Sequence, residues 1–158
     1  MKMAANSVVT KSETGQAVWM LGGRYTVRVS SDDSDGELTV MEMELPVGSG
    51  PPPHTHSGGE TVYVVEGTLN YHIGDETIEA GPGDVIYIPA GTLENFEPTS
   101  KSRVIITYTP GGMDKYFLEV GEPAPEAGLP PTSEGPPSPE FVERMASVGK
   151  SYGLDMKV

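Results

Sequence analysis

The chain has 158 residues, a length that fits one domain with its own buried core and is short for two. Its 10 basic and 23 acidic residues give a formal net charge of -13, which argues against a nucleic-acid or anionic-membrane partner and for a small, neutral or weakly charged organic ligand. With no cysteine, disulfides, thiolate metal sites, iron–sulfur clusters and a cysteine nucleophile are excluded, so any metal has to sit on histidine and carboxylate.

Residues 1–15 contain no apolar run of the signal-peptide kind and no later segment approaches a membrane span, so a cytoplasmic location is expected. Trp19 precedes a turn at Gly22-Gly23 and is expected on the open end of the fold. Tyr25 to Ser30 alternates, with Tyr25, Val27 and Val29 on one face, and the acidic run 31–36 follows as a turn. Asp32, Asp33 and Asp35 lack the remaining ligands of a calcium loop and read as a solvated turn. Glu37 to Leu45 alternates again, Met41, Met43 and Leu45 against Glu42 and Glu44. Thr61 to Val65 and Thr68 to Ile73 flank Glu66-Gly67, which reads as a hairpin-type turn, and Gly74-Asp75 begins another. Thr77 to Ala80, Val85 to Ile88 and Arg103 to Tyr108 complete a set of short, closely spaced strands that predicts an all-β antiparallel barrel or sandwich.

Beyond Thr109 the pattern changes. Pro110-Gly-Gly112 ends the last strand, and Met113 to Val120 predicts a short helix turning Tyr116, Phe117 and Val120 toward the barrel. Seven prolines in 121–139 predict an extended linker over the surface. Ser138-Pro139-Glu140 has the form of a helix start, Phe141, Met145, Val148 and Tyr152 recur at helical spacing, and Gly153 is a stop. The expected division is therefore 1–36 as N-terminal strands and turn, 37–120 as the barrel core, and 121–158 as a proline-rich linker with a helix packed on the barrel.

Two of the three histidines flank one threonine in Pro51-Pro-Pro-His54-Thr-His56-Ser-Gly-Gly-Glu60. On an extended backbone residues two apart point the same way, so both imidazoles can face one ion, and Glu60, beyond a flexible Ser-Gly-Gly, can close a third side. Two imidazoles and a carboxylate suit a divalent first-row metal and leave positions open for substrate or dioxygen.

In these residues the chain resembles the cupin superfamily. The first cupin motif, glycine, five residues, His-x-His, three or four residues, glutamate, six residues, glycine, is filled at Gly48, His54, His56, Glu60 and Gly67. The second motif is matched at Gly83, Pro89 and Gly91, but Glu94 stands in the place of its histidine and Pro98 in the place of its asparagine. The resemblance spans about residues 37–109 and implies a cupin barrel (double-stranded β-helix or jelly roll), often a homodimer. The stretch Val104 to Gly112 followed by an aromatic helix looks like the single-domain quercetinase-like branch. That branch implies oxygenation of a flavonol or an aromatic polyketide at a metal, with Glu60 near the ion as base for the substrate hydroxyl.

A carboxylate in place of the fourth imidazole lowers the charge of a divalent site by one unit and favours a harder ion. Three readings stay open: Glu94 as a fourth metal ligand, Glu94 as a general acid or base off the metal, or a site that binds no metal firmly and leaves His54, His56, Glu60 and Glu94 as polar catalytic groups. Separately, a one-residue slip of the strand would turn Asn95 inward. The ion is expected among manganese, iron, nickel, cobalt and zinc. Tyr63, Tyr71, Tyr87, Tyr108, Phe96, Met41 and Met43 are expected to fill the barrel, with Tyr63, Met41, Met43, Tyr108 and Phe96 as substrate-lining candidates. His72, beside Asn70, reads first as a hydrogen-bonded strand histidine and second as a cavity residue. Beside the oxygenase stand two alternatives: an oxygen-independent isomerase, cyclase or dehydratase using Glu60 and Glu94 as acid and base, and a non-enzymatic ligand-binding barrel.

Overall fold

Strict alternation from Thr39 to Leu45 buries Thr39, Met41, Met43 and Leu45 and leaves Val40, Glu42 and Glu44 half-buried, the period-two pattern of a strand with one face on a core. In the computed structural model, which describes residues 7–131 and 136–158, this pattern recurs in most strands. Residues 1–6, part of the segment read for a signal peptide, and residues 132–135 of the linker lie outside the described residues. The strands in chain order are β1 (Ala17–Met20), β2 (Gly23–Val29), β3 (Thr39–Leu45), β4 (His54–His56), β5 (Gly59–Glu66), β6 (Leu69–Ile73), β7 (Glu76–Ala80), β8 (Val85–Ile88), β9 (Glu94–Pro98), β10 (Ser102–Thr109), β11 (Glu122–Pro123) and β12 (Leu154–Met156). Helix α1 is Met113–Val120 and α2 is Pro139–Lys150.

The strands form a seven-stranded sheet, β11-β1-β2-β3-β10-β5-β8, and a five-stranded sheet, β12-β4-β9-β6-β7. All pairings are antiparallel, and the inner faces meet over a core that includes Met41, Leu45, Val62, Val64, Leu69, Tyr71, Ile88 and Val104. This is the expected all-β cupin-type barrel. One turn differs from expectation. Glu66-Gly67 does not close a hairpin, because β5 and β6 belong to different sheets and the chain crosses between them there. Gly67 has φ 82°, and a Cβ on it would run into the Lys101 carbonyl and Ser102. The crossing at residues 99–102 lies against this corner, with the Thr68 N–H donating to Ser100 Oγ at 2.9 Å. A side chain at 67 would push the two crossings apart.

The N-terminal hairpin turns at Leu21-Gly22, and Trp19 points outward, donating its ring N–H to the Gly128 carbonyl at 3.0 Å. Trp19 therefore anchors the proline-rich segment and does not pack on the barrel's open end. With β11 paired to β1 and Arg24 donating to the Glu126 carbonyl at 2.6 Å, the described part of that segment runs along the sheet.

Helix α1 buries Met113, Asp114, Tyr116, Phe117 and Val120. Its first turn is locked by Asp114, whose carboxylate accepts from the Thr39 hydroxyl at 2.7 Å and the Ser31 N–H at 3.1 Å. Helix α2 starts as expected: Ser138 Oγ accepts the Phe141 N–H at 3.2 Å, and Pro139 fills the first position. Met145 is fully buried, and Arg144 donates to the Glu119 carbonyl at 2.7 Å, tying α2 to the end of α1. After Gly153 the chain continues as β12 alongside β4, with the Ser57 N–H donating to the Gly153 carbonyl at 2.8 Å and the Lys157 N–H to the Pro53 carbonyl at 2.8 Å. No helix among the described residues is long and apolar enough to cross a membrane.

Candidate metal centre

The three residues of β4 place His54 and His56 on the inner face, 5% and 9% exposed. His54 stands opposite Glu94 on β9, so both side chains leave the five-stranded sheet on the same side. Glu60, near the start of β5, faces them from the other sheet, beside Tyr108 on β10. His54 Nε2 lies 3.8 Å from Glu94 Oε1, and His56 Nε2 lies 3.5 Å from Glu60 Oε2. These separations are too long for good hydrogen bonds, so the groups face one another without being consumed by one another. One ligand atom each from His54, His56 and Glu94 lie within 4.8 Å of one another.

Burial sets the protonation of the cluster. His54 Nδ1 donates to the Pro52 carbonyl at 2.9 Å, which leaves the lone pair on Nε2, aimed at the carboxylates. Desolvation lowers the pKa of both imidazoles, that of His56 to about 3 with a smaller contribution from His54, so both are neutral. Glu94 is raised, first by burial and then by its hydrogen bond to and charge repulsion from Glu60; Glu60 is also raised by burial. Two buried carboxyl groups thus share a proton beside two imidazole lone pairs. This donor set fits a divalent cation, which would replace the shared proton and take the lone pair that His54 turns toward the carboxylates.

The cluster lines a small cavity of about 40 Å³ whose wall is otherwise apolar and aromatic. Among the expected lining residues, Met43, Phe96 and Tyr108 form this wall. Met41 is fully buried in the core and does not reach the cavity, and Tyr63, 45% exposed, lies on the outer face of β5. Tyr87 is likewise outside at 65% exposed, because Glu60 facing inward puts Val62 and Val64 inside and Thr61 and Tyr63 outside, with their ladder partners Tyr87 and Val85. His72 takes the structural role, its Nδ1 2.9 Å from Thr77 Oγ1, and its neighbour Asn70 is only half-buried on the same outer face. Asn95 pairs with His72 across the ladder, while Glu94 and Phe96 point inward, so the one-residue slip does not occur. Asp33 closes the acidic turn by accepting the Ser30 N–H at 3.2 Å.

The cavity wall also holds residues that sequence reasoning passed over. Leu154 and Met156 of β12 stand opposite His56 and His54, and Tyr25, Met113 and Phe117 complete the wall. Tyr25 and Phe117 stack at 5.3 Å between ring centroids.

The profile of the cupin domain family matches residues 41–114. Quercetin 2,3-dioxygenase of Bacillus subtilis is 27% identical over 115 residues, 70% of this chain and 34% of that protein. An uncharacterised Streptomyces coelicolor protein is 31% identical over 74 residues, 46% of this chain and 70% of that protein. The solved RmlC-like cupin from Shewanella frigidimarina superposes with a TM-score of 0.62 at 17% identity, covering 72% of this chain and 99% of that one. The chain belongs to the cupin superfamily. Its sequence is quercetinase-like, although it spans only about a third of the length of the Bacillus relative. In this cupin the position that the second motif gives to histidine belongs to Glu94, 3% exposed, and the barrel brings its carboxylate within reach of both imidazoles.

Proposed function

We propose that this cupin is a metal-dependent enzyme that oxygenates a flavonol-like compound or an aromatic polyketide. The observation that carries the reading is the convergence of His54, His56 and Glu94 on one point at the wall of an aromatic cavity, with Glu60 beside them. These three would hold a divalent ion (manganese, iron, nickel, cobalt or zinc), and the carboxylate at 94 favours the harder manganese or iron. When bound, such an ion supplies Lewis acidity and reactivity toward dioxygen. Glu60, buried and facing the cavity, takes the proton of the substrate hydroxyl. Tyr25, Phe96, Tyr108 and Phe117 offer ring surface to an aromatic substrate, and the apolar wall keeps bulk water from the reacting atoms. Aerobic incubation with quercetin and related phenols, together with elemental analysis of the purified protein, tests this. Turnover that needs both oxygen and a stoichiometric ion is the expected result, and a protein that holds none of the five ions overturns it.

A second reading rests on the hydrogen-bonded Glu60–Glu94 pair. Two carboxyl groups that share a proton can serve as acid and base in an oxygen-independent isomerisation, cyclisation or dehydration. Turnover undiminished under argon supports this reading and sinks the first.

We infer further that the protein is a homodimer. β8 is an edge strand of the seven-stranded sheet, and Val85 and Tyr87 on it, with Tyr63 on β5, expose 63%, 65% and 45% of their surfaces. A free edge bearing apolar side chains is a surface that folded proteins cover, and a second copy offers the same strand in antiparallel register about a twofold axis.

A further inference from the structure

Among the described residues one buried side-chain polar atom has no hydrogen-bond partner: the hydroxyl of Tyr71. Tyr71 lies on β6, is 0% exposed and does not reach the open cavity. On the β6–β9 ladder Tyr71 stands opposite Phe96 and Ile73 stands opposite Glu94. Tyr71 and Glu94 therefore leave the same face of the sheet as diagonal neighbours, a spacing that an aromatic side chain spans. Its ring packs against Phe96 at 5.5 Å between centroids. An interior hydroxyl without an acceptor is rare enough in native proteins to call for an explanation.

We propose that Tyr71 is a positioning residue of the metal centre, its hydroxyl donating a hydrogen bond to the Glu94 carboxylate when that carboxylate holds a cation. The proposal rests on the metal reading above and deepens it. A ligating imidazole is oriented through its second nitrogen, but an ionised carboxylate only accepts hydrogen bonds and has to be oriented by a donor. Where this cupin exchanges the fourth imidazole for Glu94, it also places a buried phenol diagonal to that carboxylate on the same sheet. The exchange at 94 and the tyrosine at 71 thus form one functional unit.

Tyr71→Phe keeps the ring that packs on Phe96 and removes only the oxygen. Three readouts are compared with wild type: thermal unfolding of the metal-free protein, Mn²⁺ affinity by competition with a chelator, and the Mn²⁺ electron paramagnetic resonance spectrum. The metal-free variant should unfold at or above the wild-type temperature, since it loses a group with no partner. Its Mn²⁺ affinity should fall by about 10–100-fold, with altered fine structure in the spectrum. In a Glu94→His background the same Tyr71→Phe change should cost less than about threefold, because the group that the hydroxyl serves is gone. Equal affinity with and without the hydroxyl overturns the inference alone, and so does an equal loss in both backgrounds or a Tyr71→Phe protein that fails to fold. Failure of the wild-type protein to bind any divalent ion overturns the metal reading, and this inference with it.

Discussion

Replacing Leu154 by alanine tests whether the C-terminal strand is a working wall of the barrel. Leu154 is 3% exposed, stands opposite His56 and borders the cavity. Truncating a buried leucine costs about 2–5 kcal/mol, and the larger values belong to sites where a sealed void remains. Leu154 already borders open space, so the lower end, about 2–3 kcal/mol, applies. In a domain of this size each kcal/mol moves the melting midpoint by about 2–4 °C, which places the variant about 4–12 °C below wild type. Val158→Ala, at a position 72% exposed, is the control and should shift stability by less than about 0.5 kcal/mol. The assay is thermal unfolding of both metal-free variants followed by circular dichroism. If Leu154→Ala melts within about 1 °C of the control, β12 does not hold the histidine strand, and the reasoning fails.

Saturating Mn²⁺, at about a hundred times its dissociation constant, should stabilise the protein by about 2.7 kcal/mol, with reversal by a chelator; an unchanged midpoint would remove the ion from the native state. The raised carboxyl pair predicts a pH dependence of the metal-free protein. Above 6.5, where unfolded histidines are already neutral, the native pair keeps a proton that the unfolded chain has released, so stability should fall as pH rises, by at most about 1.4 kcal/mol per unit. Denaturant titrations at about pH 7 and about pH 8.5 check the sign, and a rising or flat profile contradicts it. Gly67→Ala should destabilise by about 2–3 kcal/mol, whereas Gly74→Ala, at φ 59° with nothing within 4 Å of an added Cβ, should cost about 1 kcal/mol; equal effects in denaturant titrations would show that the corner contact is unimportant. Tyr87→Lys, on the exposed edge strand, should shift sedimentation from dimer to monomer without changing Mn²⁺ affinity, and a monomeric wild type would refute the dimer.

The cluster was legible because each member is a residue type with chemistry at a spacing that strand geometry reads directly. His54 and His56 are two apart on β4, and the structure turns both inward. Their ladder partner Glu94 was visible as a departure from a motif, but that it pairs across from His54 is a fact of register that no local pattern carries. Tyr63 and Tyr87 show the opposite failure. Their aromatic character suggested burial, although counting by twos from Glu60 already places Tyr63 outside. Glu66-Gly67 showed that the chain turns but not which sheet receives it. β12 is only three residues long, too few to display a period, so Leu154 and Met156 were invisible as wall residues until β4 supplied the partner.

The pairing of β4 also orders events in time. On one side the histidine strand meets β9 at a single residue pair, and on the other it is hydrogen-bonded along all three residues to Leu154–Met156, a hundred positions further along the chain. Contacts of such separation close late in folding, after local turns have formed. A nascent chain therefore shows His54 and His56 as an unsupported loop until residue 156 has emerged. On the metal reading proposed above, an ion would be held only after β12 has closed on β4.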